Sequence, residues 1–263
     1  MQAGDRFGEV VGAFSYLPEY SDGSALYIGA PGDVVKGKRS AGSVTVIDAP
    51  GTPRLITQNT PGVPGTAEAD DHFGASMANG TGKFQQLAIG APGEDVGSVK
   101  DAGSVTVLKR TDKTVYPATL LTQSSRGVSG TVETGDQFGA AVAYRDDRTL
   151  AIGIPGEDLG AVVDAGSAQV VRVGKSTLSF PSPTFTEDSP STPGEVQADS
   201  RFGSTVAGIR AYGGEAIFAI SSPFQNGGSV YVLSSDPAVA PRSWQPDVGT
   251  VPGSGSRFGH SVV

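Results

Sequence analysis

The sequence predicts an all-β chain folded as a β-propeller, with about four blades of four antiparallel strands each and the first strand of a fifth. Three observations predict it. The phrases "DRFGEVV", "DHFGASM", "DQFGAAV", "SRFGSTV" and "SRFGHSVV" recur roughly every 65 residues along a chain of 263. Each interval holds four short apolar or β-branched runs bounded by glycine, proline or polar residues, as strands joined by tight turns require. No stretch sustains a helical apolar period.

Taken in order, the first period (about 5–70) offers "GEVVGAF", "ALYIGAPG", "AGSVTVID" and "RLITQ". The second (about 71–135) repeats them as "GASMA", "QLAIGAPG", "AGSVTVLKR" and "YPATLLTQ". In the third (about 136–199) they become "GAAVAY", "TLAIGIPG", "AGSAQVVRV" and "SPTFTE". The fourth (about 200–255) is looser, with "GSTVAGI", "AIFAISSP", "GGSVYVL" and a short "RSWQ". Residues 256–263 open a fifth. A four-stranded unit cannot bury both of its faces alone and must stack on its neighbours, so the whole chain reads as one propeller segment. A β-solenoid is the alternative, but its coils are normally much shorter than this period.

Composition agrees with many short strands: 38 glycines, 18 prolines and only 17% charged residues. A net charge of -8 with no basic stripe repels phosphate backbones and argues against nucleic-acid binding. No apolar run approaches the roughly 20 residues that cross a bilayer as a helix. With no cysteine, disulfides and thiolate metal sites are excluded.

The pairing of Phe-Gly with Gly-Ala-Pro about 20 residues later is specific, and it resembles the FG-GAP repeat of integrin alpha subunits and of many bacterial secreted proteins. Phe7-Gly8 pairs with Gly29-Ala30-Pro31, Phe73-Gly74 with Gly90-Ala91-Pro92, and Phe138-Gly139 with the variant Gly153-Ile154-Pro155. Phe202-Gly203 faces a drifted Ser221-Ser222-Pro223, and Phe258-Gly259 begins the fifth period. The resemblance implies a ring of seven blades, so the missing blades are expected from further residues or a second chain. It also implies an extracellular or cell-surface location. Physically, the phenylalanine is expected to fill the wedge between blades and the glycine to permit close backbone approach.

Many repeats of that family carry a calcium loop, D-x-[DN]-x-[DN]-G, between the first two strands. The matching segments here, "SYLPEYSDGSA", "MANGTGKFQQ", "AYRDDRT" and "GIRAYGGEA", lack that ladder of oxygen ligands. A second acidic loop, "PGEDVGSVKDAGS" and "PGEDLGAVVDAGS", places Glu94, Asp95 and Asp101 in register with Glu157, Asp158 and Asp164. Period one keeps only Asp33 there, and period four keeps no carboxylate. Aspartates that shape a glycine-rich turn are the first reading, a calcium site the second and a direct ligand contact the third.

Catalysis has little to rest on. His72 and His260 lie beside the repeated phrase at positions that vary between periods, and duplication of the Glu94-Asp95 pair points to architecture over a unique glycosidase centre. Trp244, the single tryptophan, either seals the fourth blade or presents an indole to a sugar ring. The chain therefore reads as a non-enzymatic binding or scaffolding module that meets a protein partner through its face loops. A carbohydrate-binding propeller and a hydrolase or hydrolase-associated domain are the alternatives.

Overall fold

The computed structural model describes residues 4–14, 25–48, 51–80, 86–109, 118–146, 148–174, 178–179, 184–192, 194–210, 216–224, 228–234 and 242–244. All its regular structure is strand. The first blade holds β1 (Val10–Phe14), β2 (Ala25–Ala30), β3 (Ser43–Asp48) and β4 (Arg54–Ile56), and the second β5 (Ser76–Asn79), β6 (Gln86–Ala91), β7 (Ser104–Lys109) and β8 (Ala118–Leu121). The third comprises β9 (Ala141–Tyr144), β10 (Thr149–Ile154), β11 (Ser167–Val173), β12 (Leu178–Ser179) and β13 (Thr184–Phe185). β14 (Val206–Arg210), β15 (Ala216–Ser222), β16 (Ser229–Ser234) and β17 (Arg242–Trp244) form the fourth.

Each blade is an antiparallel meander in which consecutive strands pair. The third blade departs from four strands because its outer edge is split: β12 and β13 both pair with β11. Pro181 and Pro183 fall between the two pieces, and proline supplies no N–H to continue a ladder.

The core lies between blades, not within them. One cluster joins Tyr27, Val44 and Ile56 of the first blade to Phe73, Leu87 and Ile89 of the second. The next sets Val105 and Leu121 against Phe138 and Ile152, and the last joins Ala151 and Ala168 to Phe202, Ile220 and Tyr231. Alternation along β6 explains how one strand serves two layers, since Leu87 and Ile89 face backwards while Ala88 faces forwards. Both faces are buried, so "LAIGA" reads as a continuous apolar run.

The inner strands pack in series, β1 on β5, β5 on β9 and β9 on β14; among the described strands no comparable contact returns from β14 to β1. The expected strand at Phe258 and Gly259 lies outside the described residues.

Candidate functional site

The repeated signature builds the blade junctions. Phe73, Phe138 and Phe202 are each 0% exposed, and their backbone N–H groups donate to Ala41, Ala102 and Ala165 of the preceding blade. The Gly-Ala-Pro glycine of one blade, or that of its Gly-Ile-Pro variant, faces the Phe-Gly glycine of the next across the junction. A Cβ on Gly29 would lie 2.4 Å from the carbonyl oxygen of Gly74, and those on Gly90 and Gly153 would lie 2.1 and 1.9 Å from the oxygens of Gly139 and Gly203. Side chains would force the blades apart.

Phe7 departs from the expected wedge. It is 45% exposed, and a Cβ on Gly8 would meet nothing within 4 Å. The reason is position: no described blade packs on the first one's leading face, where Val11 is also exposed.

At one end of the blades, the loops after β2, β6 and β10 share one hairpin. Reciprocal backbone bonds join Val35 to Lys38, Val96 to Val99 and Leu159 to Val162. Asp95 and Asp158 cap these hairpins: the Asp101 N–H donates to Asp95 Oδ1 at 3.1 Å, and the Asp164 N–H to Asp158 Oδ1 at 2.8 Å. Asp101 and Asp164 themselves adopt φ of 51° and 48°, as does Ser40 in the first blade at 48°. Aspartate tolerates that left-handed conformation better than most residues, which accounts for its recurrence there.

Glu94 and Glu157 point elsewhere, back into the junctions. Gln58 of the first blade donates its amide to Glu94, and Gln123 of the second donates to Glu157. Burial, followed by the carboxylate of Asp71 or Asp136, pushes Glu94 and Glu157 each up to about 7. Burial likewise raises Asp71 to about 6 and Asp136 to about 7. Asp95 moves the other way, held down chiefly by its hydrogen bond from Lys100.

The six acidic residues thus divide into four that shape hairpins and two that enter junctions. Gln58, Gln123, Asp71 and Asp136 escaped the sequence reading, although Thr-Gln after the fourth strand and Asp two residues before the phenylalanine both recur in register. Among the described residues, no three His, Asp or Glu side chains converge as metal ligands. Of the segments matching the family's calcium loop, "AYRDDRT" is described except for Asp147, and there Asp146 Oδ1 accepts from the Arg148 and Thr149 N–H groups at 2.8 and 2.7 Å. The other three lie partly or mostly outside the described residues, as does His260. His72 shares its positive φ of 57° with Arg6, Gln137 and Arg201, at 53°, 58° and 54°, so it occupies a shared backbone position of the repeat.

Trp244 ends β17 opposite Val230. The same ladder position holds Ile56 opposite Val44 and Leu121 opposite Val105, both buried. The indole itself lies outside the described part.

The loops at this end also present apolar side chains. Val34, Val163 and Phe224, on the loops after β2, β10 and β15, are 43%, 55% and 42% exposed. Arg201 links two neighbouring blades there, 3.5 Å from Asp164 and with its guanidinium 5.6 Å from the centre of the Phe224 ring.

A scan against protein-family models finds no match for the chain, and a search of curated proteins finds none either. Among the described residues no helix is long and apolar enough to cross a membrane.

Proposed function

We propose that the chain is an FG-GAP-type propeller segment that acts as a non-enzymatic, extracellular binding or scaffolding module, engaging a protein partner through the loops after β2, β6, β10 and β15. The observation that carries this reading is the row of equivalent loops with Val34, Val163 and Phe224 exposed on it. Three of the loops are hairpins braced by their own backbone bonds, so little conformational entropy is lost when a partner binds them. Exposed apolar side chains among charges of both signs, with Lys36, Lys38 and Arg39 beside Val34, suit a protein surface with an apolar centre and a charged rim.

The motif supports the family reading because the Gly-Ala-Pro element, or its Gly-Ile-Pro variant, of one blade meets the Phe-Gly phrase of the next at each described junction. The register of Trp244 with buried Ile56 and Leu121 favours a sealing role over a sugar platform.

The test places a photo-crosslinking phenylalanine analogue at position 163 or 224 and identifies the captured protein. Val163→Asp and Phe224→Ala should each lower capture at least about fivefold while leaving the melting temperature within a degree or two. Capture indifferent to both substitutions would reject the loop face. A glycan-array signal abolished by Trp244→Ala would replace the protein reading with the carbohydrate one.

A further inference from the structure

The blade junctions repeat one polar arrangement, and its chemistry changes at the third. At the first two, a glutamine from the blade behind donates to a glutamate from the blade ahead, Gln58 to Glu94 and Gln123 to Glu157. Beside each glutamate lies an aspartate only 1% exposed, Asp71 or Asp136. One oxygen of each aspartate accepts from a backbone N–H, that of Glu68 at 2.5 Å or Glu133 at 2.6 Å. The Gly93 and Gly156 N–H groups, adjoining the two glutamates, donate to the aspartates' own carbonyls at 3.1 Å.

These contacts leave buried acceptors without donors, namely Gln58 Oε1, Gln123 Oε1 and Asp136 Oδ1. Buried oxygens of this kind normally have a partner. The other charges acting on the first pair are Glu68, Asp70 and Asp95, and those on the second are Glu133 and Asp158. All are acidic. The nearby cation, Lys100, is bound to Asp95. Two neighbouring carboxylates among further acids, with Asp71, Asp136 and Glu157 buried and Glu94 partly so, resist ionising together. A proton retained on the Asp136 and Glu157 pair supplies the donor that Asp136 Oδ1 lacks.

The third junction supplies an internal comparison. Ser200 stands where the aspartate was and Glu187 where the glutamine was, and the Glu187 carboxylate accepts from the Ser222 hydroxyl. The glutamate's own position holds Gln225, outside the described residues. The third junction thus buries one carboxylate in place of two, and although burial raises Glu187 as well, hydrogen bonds led by that from Ser222 partly offset it.

We propose that the first two junctions are acid-closed clasps, each held by one proton retained on the carboxylate pair Asp71 and Glu94 or Asp136 and Glu157, a pair that the third junction lacks. The sign follows from linkage. These groups titrate near 3.8 and 4.5 in an unfolded chain and at about 6 to 7 when folded. Their contribution is therefore complete below about pH 4 and is lost as the pH rises through 6 to 7.

The test follows thermal melting of the full chain from about pH 5 to 8.5, in chelator and in calcium, for the wild type, Glu157→Gln and Asp136→Ser. The wild type should lose several degrees between pH 5 and 8. Each variant should show a shallower profile, and Glu157→Gln should melt above the wild type at pH 8. In the folded wild type, infrared spectra should show protonated-carboxyl absorption at pH 5.5 that disappears by pH 8.5, a readout that does not depend on either variant folding. A wild-type profile that is flat or rises with pH, variants that run parallel to it, or no protonated-carboxyl band at pH 5.5 would overturn the proposal. Calcium restoring full stability at pH 8 would also overturn it, by assigning the clasp to a cation.

Discussion

A Cβ placed on Gly42 would lie 2.3 Å from the carbonyl oxygen of Phe73 and 2.5 Å from its amide nitrogen. The second and third blades repeat this approach, with Gly103 against Phe138 and Gly166 against Phe202. These glycines have φ of 83°, 84° and 80°, so their conformation as well as their size suits glycine. The Ala-Gly-Ser turn of one blade is thus the seat for the Phe-Gly phrase of the next.

Gly103→Ala should destabilise the fold by at least about 2 kcal/mol, because the added methyl meets backbone on the neighbouring blade and the left-handed φ adds strain. Gly97→Ala is the control. It has φ of 66° but open space around its Cβ, so it should cost only about 1 kcal/mol. Chemical denaturation of both variants checks the difference, and equal losses would place the Gly103 effect in backbone strain alone.

Phe138→Ala and Phe73→Ala should each cost roughly 3 to 5 kcal/mol, the usual result of emptying a buried aromatic site. Phe7→Ala, at the half-exposed equivalent, should cost less than about 1 kcal/mol. Denaturant midpoints at constant slope measure all three. A large loss at Phe7 would mean that its ring is covered in solution.

Asp101 and Asp164 distinguish turn chemistry from metal binding. If their task is the left-handed backbone, replacing both by glycine should leave stability within about 0.5 kcal/mol, while replacing both by alanine should cost about 1 kcal/mol per site. Chelator and excess calcium should leave the melting temperature unchanged in every case. A calcium-dependent rise of many degrees, abolished by the glycine substitutions, would contradict this.

The blade repeat was legible because burial on both faces and glycine contact each impose a residue type: "LAIGA" is apolar throughout, and Phe-Gly recurs where backbones touch. The loop reading from sequence was less complete. Glu94 and Asp95 are neighbours in the chain yet serve different structures, one a junction and the other a hairpin, and composition alone groups them. The partners of Glu94 and Glu157 lie 36 and 34 residues earlier, so only a comparison of the repeats column by column would have found Gln58 and Gln123. Phe7 shows the opposite limit, since its motif is intact and its environment depends on what packs in front of it.

The most direct test of the account is hydroxyl-radical footprinting of the phenylalanines in the native chain, read by mass spectrometry. Phe7 and Phe224, 45% and 42% exposed, should be oxidised readily, whereas Phe73, Phe138 and Phe202, each 0% exposed, should be protected until the protein unfolds. That pattern would establish blades seated on one another through the Phe-Gly phrase, with the first blade's leading face and the loop row open. Oxidation of Phe73 or Phe138 at the rate of Phe7 would contradict it.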